Sequence, residues 1–138
     1  MSVAQALKKI RIFELLQLRN HRNMETIPAE LFTLHADFCK IMGNPKRLMI
    51  IAALGEGELS VGEIASIVEV PMTNASQHLS TMKAANLVVS RKEGQTVLYR
   101  LTDPRITEAC EIIRSVLLSF MKQSGSIASK MDRRSKIS

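Results

Sequence analysis

Small polar side chains recur along residues 71–86 at the spacing of one helix face. With about 100° of rotation per residue, hydroxyl and amide groups collect on one side of this helix and apolar groups on the other. Hydroxyls and amides can hydrogen-bond to base edges in the DNA major groove, whereas a merely solvated helix face ordinarily carries Glu and Lys pairs. The candidate DNA-contacting residues of this helix are Thr73, Asn74, Ser76, Gln77, Ser80, Thr81 and Lys83. The apolar row is Ala75, Leu79 and Met82, and His78 is expected to point toward this packed side.

Two thiols, Cys39 and Cys110, are the other groups able to do chemistry. Three interpretations stay open for them. Each is a small buried hydrophobic residue, or the two form a thiol switch, or Cys39 binds a metal together with Cys110 and with His35, one helical turn earlier. Two cysteines are too few for a disulfide framework.

Nothing in the sequence indicates catalysis. It lacks paired carboxylates, a nucleophile with a matching base and a glycine-rich phosphate loop, so the chain is expected not to be an enzyme and to use no cofactor or metal. The net charge of +6 over 138 residues favours a polyanionic partner. Aromatic residues make up only 4%, which disfavours the binding of single strands by base stacking. Double-stranded DNA is therefore the expected partner. Without a signal peptide or an apolar run of membrane length, a cytoplasmic location and no membrane partner are expected.

The segments around residues 71–86 predict a helix-turn-helix with a wing. Ser60 and Glu63 form a capping box at the start of a short helix, whose apolar face is Val61, Ile64, Ala65 and Val68. Pro71 opens the next helix, which is expected to run to about Asn86. Alternating residues over 88–92 and 96–101 then predict a hairpin. Its candidate DNA contacts are Arg91, Lys92 and Gln95.

Besides the N-terminal arm, two more helices are predicted before this unit and one after it. Pro28 suits a first helical position, and Gly43 a helix end. Asn44 and Pro45 restart a helix whose buried stripe is expected to be Leu48, Ile51 and Ala52. Asp103 and Pro104 are expected to cap the last helix, where apolar residues recur every three or four positions as a heptad seam. One small domain cannot easily bury that seam, so a homodimer is expected.

The fold class predicted is mainly α-helical with a small β-hairpin: a winged helix-turn-helix that dimerises through its first and last helices. The expected divisions are an N-terminal helical arm and linker (1–27), the winged domain with its dimerisation helices (28–121) and a basic flexible tail (122–138). The candidate dimer residues are Leu31, Leu34, Phe38, Ile106, Cys110, Ile113, Leu117 and Phe120.

Four stretches together resemble the ArsR/SmtB family of bacterial and archaeal repressors. They are Ile41–Leu48, Gly57–Glu63, Ser76–Leu79 and Gln95–Leu101, in this order and spacing. The resemblance implies a homodimeric winged helix-turn-helix repressor, with the first family helix and the last helix at the dimer interface. It also implies an inducer, here unknown, that releases the operator DNA.

The sensing sites of that family do not carry over to this sequence. Its metal-binding cysteine pair falls at Ser60 and Gly62, and Arg105 replaces the first histidine of its other metal site. The branch that senses persulfide or oxidants has cysteines near Ala52 and Leu118, where this chain has none. Pro71 also stands where the family usually has a serine N-cap. Any thiol sensing therefore falls to Cys39 and Cys110.

A second interpretation is a protein-interaction module on a winged-helix scaffold. Met72, Met82 and the long final helix would then dock a partner protein. The polar face of the 71–86 helix argues against it, and selective, salt-dependent DNA binding separates the two hypotheses.

Overall fold

The computed structural model describes residues 27–125 and Arg133. This part of the chain contains five helices and three strands. In chain order they are α1 (Ala29–Met42), α2 (Pro45–Leu54), β1 (Leu59–Ser60), α3 (Val61–Val68), α4 (Met72–Ala84), β2 (Val88–Glu93), β3 (Thr96–Leu101) and α5 (Arg105–Gln123). They divide after Asp103 into two units, of which the second contains α5. Of the arm expected over residues 1–27 only Ile27 is described, and of the tail expected over residues 122–138 only residues 122–125 and Arg133 are described.

All four prolines of the sequence stand at helix starts. Pro45 occupies the first position of α2, and the Asn44 side chain accepts hydrogen bonds from the next two backbone N–H groups, as predicted. Pro28, Pro71 and Pro104 are N-cap residues without side-chain caps. Pro28 was expected one position later, at the first residue of its helix, whereas Pro104 was expected in the cap. An N-cap residue donates no intrahelical bond, so the missing proline N–H costs nothing there.

The predicted helix-turn-helix is present as α3 and α4. Ser60 and Glu63 form the capping box, in which each side chain bonds the backbone N–H of the other. Glu69 takes a left-handed conformation (φ 56°) and ends α3. The second helix ends at Ala84 rather than Asn86, because Asn86 is itself left-handed (φ 58°) and turns the chain into β2.

The core of the first unit lies between α2, α3, α4 and the start of β2. Ile64, Ala65 and Val68 of α3 and Ala75, Leu79 and Met82 of α4 are buried, as predicted. Val61, predicted with the apolar face of α3, is only half-buried. The remaining fully or almost fully buried residues are Ile50, Ile51, Leu87 and Val88.

The predicted stripe of α2 is wrong in two of its three residues. Leu48 and Ala52 are exposed, whereas Ile50 and Leu54 are buried beside Ile51. The buried face is therefore rotated by about 100° from the one expected. Every residue from 48 to 54 is apolar, so periodicity alone does not choose the face that α3, α4 and β3 cover.

The wing is the hairpin of β2 and β3, and β1 pairs with the other edge of β3. Glu93 pairs with Thr96, so the turn has two residues, and the first of them, Gly94, has φ 62°, a conformation that glycine adopts without strain. Thr102 closes the hairpin at its other end. Its hydroxyl donates to the backbone oxygens of Asn86 and Leu87 at 2.7 and 3.2 Å.

Among the described residues, no helix is long and apolar enough to cross a membrane.

Candidate nucleic-acid interface

The outward side of α4 consists of exposed, uncharged side chains that can donate and accept hydrogen bonds. We call this set the recognition face: Thr73, Asn74, Ser76, Gln77 and Ser80, all exposed. Ala75, Leu79 and Met82 on the opposite side are 0% exposed. Packing of that inner row therefore fixes which side of α4 solvent meets.

Most hydrogen-bonding groups of the recognition face have no partner within the described part of the chain. Thr73 Oγ1 donates weakly to Asn74 Oδ1 at 3.4 Å. No bond to a described residue engages the side chains of Ser76, Gln77 or Ser80. Thr81, predicted with them, is half-buried, and its hydroxyl donates to the Gln77 backbone oxygen at 3.1 Å. Its hydroxyl proton is therefore already used within the helix.

Two basic residues of α2 brace the neighbouring helices. Lys46 Nζ donates to the Val68 carbonyl at the end of α3, 2.7 Å away. Arg47 Nη1 donates to the Ile41 carbonyl near the end of α1 at 3.0 Å, and Arg47 Nε donates to His78 Nδ1 of α4 at 3.3 Å. Cations favour helix C-termini because the last carbonyls carry partial negative charge. The orientation of α4 is thus tied to both α1 and α2.

His78 is half-buried on the inner flank of α4, as predicted, and is held as a neutral acceptor. Burial and, to a smaller extent, the positive charge of Arg47 lower the pKa of His78 below the usual 6.5. Because Arg47 can only donate, Nδ1 must carry a lone pair and the imidazole proton lies on Nε2.

The two basic residues predicted for the wing, Arg91 and Lys92, have different surroundings. Arg91 donates to both carboxylate oxygens of Glu58 at 2.9–3.1 Å and to Glu93 at 3.0 Å. This hydrogen bond lowers the pKa of the Glu58 carboxyl below 4.5 and raises that of Arg91. Lys92 is exposed and has no partner in the described part of the chain, and Gln95 is exposed at the tip.

Strand alternation separates Arg91 and Lys92 onto opposite faces of the hairpin. Lys92 shares its face with Ser90, and the Ser90 hydroxyl accepts a 2.7 Å hydrogen bond from Lys83 of α4. Lys92 therefore lies on the same side of the hairpin as α4, together with Lys83. Arg91 lies on the other side, against Glu58 from the loop before β1.

No role at this site was assigned from the sequence to Glu58, Arg47 or Met72. Glu58 and Arg91 are 33 residues apart, and Arg47 and His78 are 31 apart, so no local pattern marks either pair. Met72 was assigned only to protein docking, yet it is the first residue of α4 and 55% exposed. Because Pro71 marks the start of α4, the position of Met72 beside the recognition face could have been inferred from the sequence.

The candidate thiols also differ in environment. Cys39 is exposed on α1 and Cys110 is buried on α5. Within the described residues, no three His, Cys, Asp or Glu side chains gather closely enough to hold a metal ion.

The expected dimer residues fall into two groups by exposure. Leu31, Leu34 and Phe38 of α1 are half-buried, as is Ile106 of α5. Ile113, Leu117 and Phe120 are 57%, 51% and 60% exposed, next to exposed Ile112 and Val116. The apolar side of α5 beyond Cys110 is thus open to solvent in the single chain.

The same arrangement occurs in known regulators of transcription. A family model described as a helix-turn-helix domain matches residues 42–91. The transcriptional activator HlyU of Vibrio cholerae is 40% identical over 74 residues, which cover 54% of this chain and 68% of HlyU. The HTH-type transcriptional regulator Rv0081 of Mycobacterium tuberculosis is 36% identical over 95 residues, 68% of this chain and 82% of that protein.

Solved structures extend the likeness to the whole winged unit. The crystal structure of Rv0081 superposes with a TM-score of 0.63 at 32% identity, covering 70% of this chain and 98% of Rv0081. A homodimeric winged helix-turn-helix DNA-binding domain, Mb0332 from Mycobacterium bovis, is described as a possible ArsR-family regulator. It gives a TM-score of 0.58 at 30% identity over 64% of this chain and 82% of that domain.

The chain belongs to the ArsR family of winged helix-turn-helix transcriptional regulators. In this chain, α3 and α4 form the helix-turn-helix of the family and the β2–β3 hairpin forms its wing, which confirms the fold predicted from the sequence. The recognition face is thus the outward side of the second helix of the motif, the helix that in helix-turn-helix proteins lies in the major groove.

Proposed function

We propose that this protein is a homodimeric repressor that binds double-stranded DNA with α4 in the major groove. The observation that carries the proposal is the recognition face, on which no described residue engages the side chains of Ser76, Gln77 and Ser80. A buried or paired polar group has already used its hydrogen bonds, whereas these remain available to base edges. A helix face that only has to be soluble ordinarily carries charged Glu and Lys side chains, so solubility does not explain the uncharged recognition face.

The wing supplies phosphate contacts in this proposal. Lys92 and Lys83 lie on the α4 side of the hairpin, and Gln95 lies at its tip. Contacts of this kind add affinity without sequence preference, because every base pair carries the same phosphates. Arg91 remains a candidate contact, but it has to leave Glu58 or share its guanidinium to reach DNA.

A second copy of the chain is the proposed cover for the apolar side of α5. Ile113, Leu117 and Phe120 repeat at heptad spacing and are more than half exposed in the single chain. Two copies related by a twofold axis present two α4 helices to half-sites about 34 Å apart on one side of the duplex. The expected operator is therefore an inverted repeat.

Release by a thiol-reactive inducer remains part of the proposal. Cys39 is the exposed thiol, and Cys110 is buried. The test compares DNA release by the wild type and by the Cys39→Ser, Cys110→Ser double variant under oxidant or persulfide. If both proteins release DNA equally, or neither does, both cysteines are structural and the inducer acts elsewhere.

The first experiment is selection of bound duplexes from a random pool and from the DNA upstream of the coding sequence, followed by fluorescence anisotropy. We expect an enriched inverted repeat, bound by a dimer and more tightly than random duplex. Absence of any enriched sequence, together with stable capture of a protein through the α4 surface, would favour the interaction module instead.

A further inference from the structure

Arg47 joins three helices of the first unit through one side chain. Its backbone belongs to α2, its Nη1 bonds the Ile41 carbonyl of α1 at 3.0 Å, and its Nε bonds His78 of α4 at 3.3 Å. A guanidinium can do this because its N–H groups point in fixed, different directions in one plane, whereas a lysine ammonium is a single point charge. α4 is therefore held by a bond whose acceptor is a titratable group.

We propose, on the basis of the proposed function, that Arg47 is the positioning residue that fixes α4 against α1, and that protonation of His78 Nδ1 releases α4 so that operator affinity falls as the pH falls. Protonation removes the lone pair that accepts the Arg47 proton and places two positive charges side by side. Both effects act on the inner flank of α4, and the recognition face moves with that helix.

The charged groups on the elements around α4 leave Arg47 as the partner of His78. Lys46 on α2 bonds the Val68 carbonyl, and Glu63 on α3 bonds the Ser60 backbone. On β2, Arg91 is paired with Glu58 and Glu93, and Lys92 is exposed. On α4 itself, Lys83 bonds Ser90. In agreement with this geometry, burial and Arg47 are the causes that lower the pKa of His78.

The direction of the effect follows from that lowered pKa. Above pH 6.5, His78 is mostly neutral in the folded and in the unfolded chain, and the Arg47 bond is intact. As the pH falls below 6.5, the unfolded chain takes up the proton first, and the folded chain follows only at lower pH. The stabilising contribution of neutral His78 is thus present above pH 6.5 and lost as the pH falls through the lower folded pKa.

The sign distinguishes this mechanism from general electrostatics. Protonating histidines makes a protein more positive and strengthens its attraction to phosphates at random sequence. We expect operator affinity to fall by about threefold to tenfold, the equivalent of one lost hydrogen bond, as the pH falls from neutrality through the lowered pKa of His78 in the folded chain. Affinity for random duplex should stay constant or rise.

Four variants of the full chain test the bond itself. His78→Asn retains an amide oxygen near the place of Nδ1 and cannot be protonated, so it should bind the operator like wild type but lose the pH response. His78→Leu and Arg47→Lys should both bind the operator about threefold to tenfold more weakly at neutral pH, because one removes the acceptor and the other the bridge. Lys46→Gln is the matched control on α2 and should keep the full pH response. Circular dichroism at each pH keeps a folding defect apart from a change in affinity.

Nitrogen NMR of the imidazole provides a readout that needs no DNA. Wild type should have the His78 proton on Nε2 and a His78 pKa below 6.5, and Arg47→Lys should raise that pKa because it removes the N–H group that donates to Nδ1. An unchanged pH response in His78→Asn, or full operator affinity in Arg47→Lys, overturns the inference while duplex binding still supports the proposed function. If no duplex is bound at any pH, the proposed function fails and the inference with it.

Discussion

The recognition face and the wing are both exposed and polar, yet they use their polar groups in opposite ways. On α4, the side chains of Ser76, Gln77 and Ser80 have no partner among the described residues. On the wing, Arg91 uses its guanidinium on Glu58 and Glu93, and its neighbour Lys92 has no partner among the described residues. A surface that reads sequence has to keep its hydrogen bonds available, whereas a surface that only has to hold its shape can satisfy them internally.

This difference assigns different tasks to the two regions. The recognition face carries little charge, so it contributes selectivity and little salt dependence. The wing contributes attraction to phosphates, in proportion to the positive charge that remains unpaired on it. Most of the following substitutions alter either the recognition face or the wing and leave the other region intact. One of them instead separates the two copies of the chain.

The largest effect is expected from separating the two copies of the chain. Ile113→Glu places a charge in the proposed seam, where it would be buried without a partner. We expect a monomer by sedimentation and a loss of operator affinity of about 100-fold or more, because each half-site is then bound alone. Ser115→Glu adds the same charge to α5 outside the seam and should leave the dimer intact. A wild-type chain that sediments as a monomer at micromolar concentration would contradict the dimer.

The next effect tests the recognition face directly. Gln77→Ala removes a central amide and should weaken operator binding by about 1–3 kcal/mol, the usual worth of a good base contact. Random duplex should be bound as before, and the salt dependence should not change, since no charge is lost. Equal losses on operator and random DNA, measured by anisotropy, would remove Gln77 from the base-contacting set.

The third effect separates the two basic residues of the wing. Lys92→Ala should flatten the salt dependence of binding by about one unit, the value for one phosphate contact. Arg91→Ala should flatten it less, because Glu58 already offsets the Arg91 charge. An equal or larger change for Arg91→Ala would mean that DNA displaces Glu58 and takes over its arginine.

A smaller effect of opposite sign is expected from the partner of Arg91. Glu58→Gln removes the opposing charge and should raise affinity for random duplex, by up to the contribution of one added phosphate contact. Glu56→Gln, an exposed neighbour in the same loop, is the matched control. Because the pKa of Glu58 lies below 4.5, its stabilising contribution is present above pH 4.5 and is lost as the pH falls through the lower folded value. The Arg91 pair therefore does not contribute to a pH response near pH 6.

The smallest effect concerns the bond that joins the two regions. Ser90→Ala removes the acceptor of Lys83 and should change stability by less than about 1 kcal/mol, because the bond is exposed. The freed ammonium should slightly steepen the salt dependence of binding. A large loss of operator selectivity instead would mean that this bond sets the angle between α4 and the wing.

The sequence was sufficient wherever the deciding signal was local. The capping box at Ser60, the Asn44 cap and the inner row of α4 each depend on residues within one or two turns, and all are as predicted. In α2 the apolar residues are continuous, so the buried side is chosen by contacts with other elements and the prediction failed for Leu48 and Ala52. Local signals define an element, but its orientation depends on its neighbours.

The candidate site was predictable to the same extent. The polar side of α4 follows from periodicity, so its residues could be named. The engagement of Arg91 by Glu58 and of His78 by Arg47 could not, because both pairs join residues more than 30 positions apart. Side-chain partners decide whether a basic residue is available for DNA, and such partners are a property of the folded chain.

The hydrogen bonds of Thr102 close the hairpin at its base, so residues can be inserted at the tip of the wing without disturbing α4. Its hydroxyl bonds the backbone at Asn86 and Leu87, so the two ends of the hairpin are tied together where they leave the core. Extra residues between Gly94 and Gln95 would lengthen the tip without pulling on α4, since the closure lies at the opposite end. The tip is therefore the place where relatives can differ in length at little cost, and where a short peptide tag can be added to report on DNA contact.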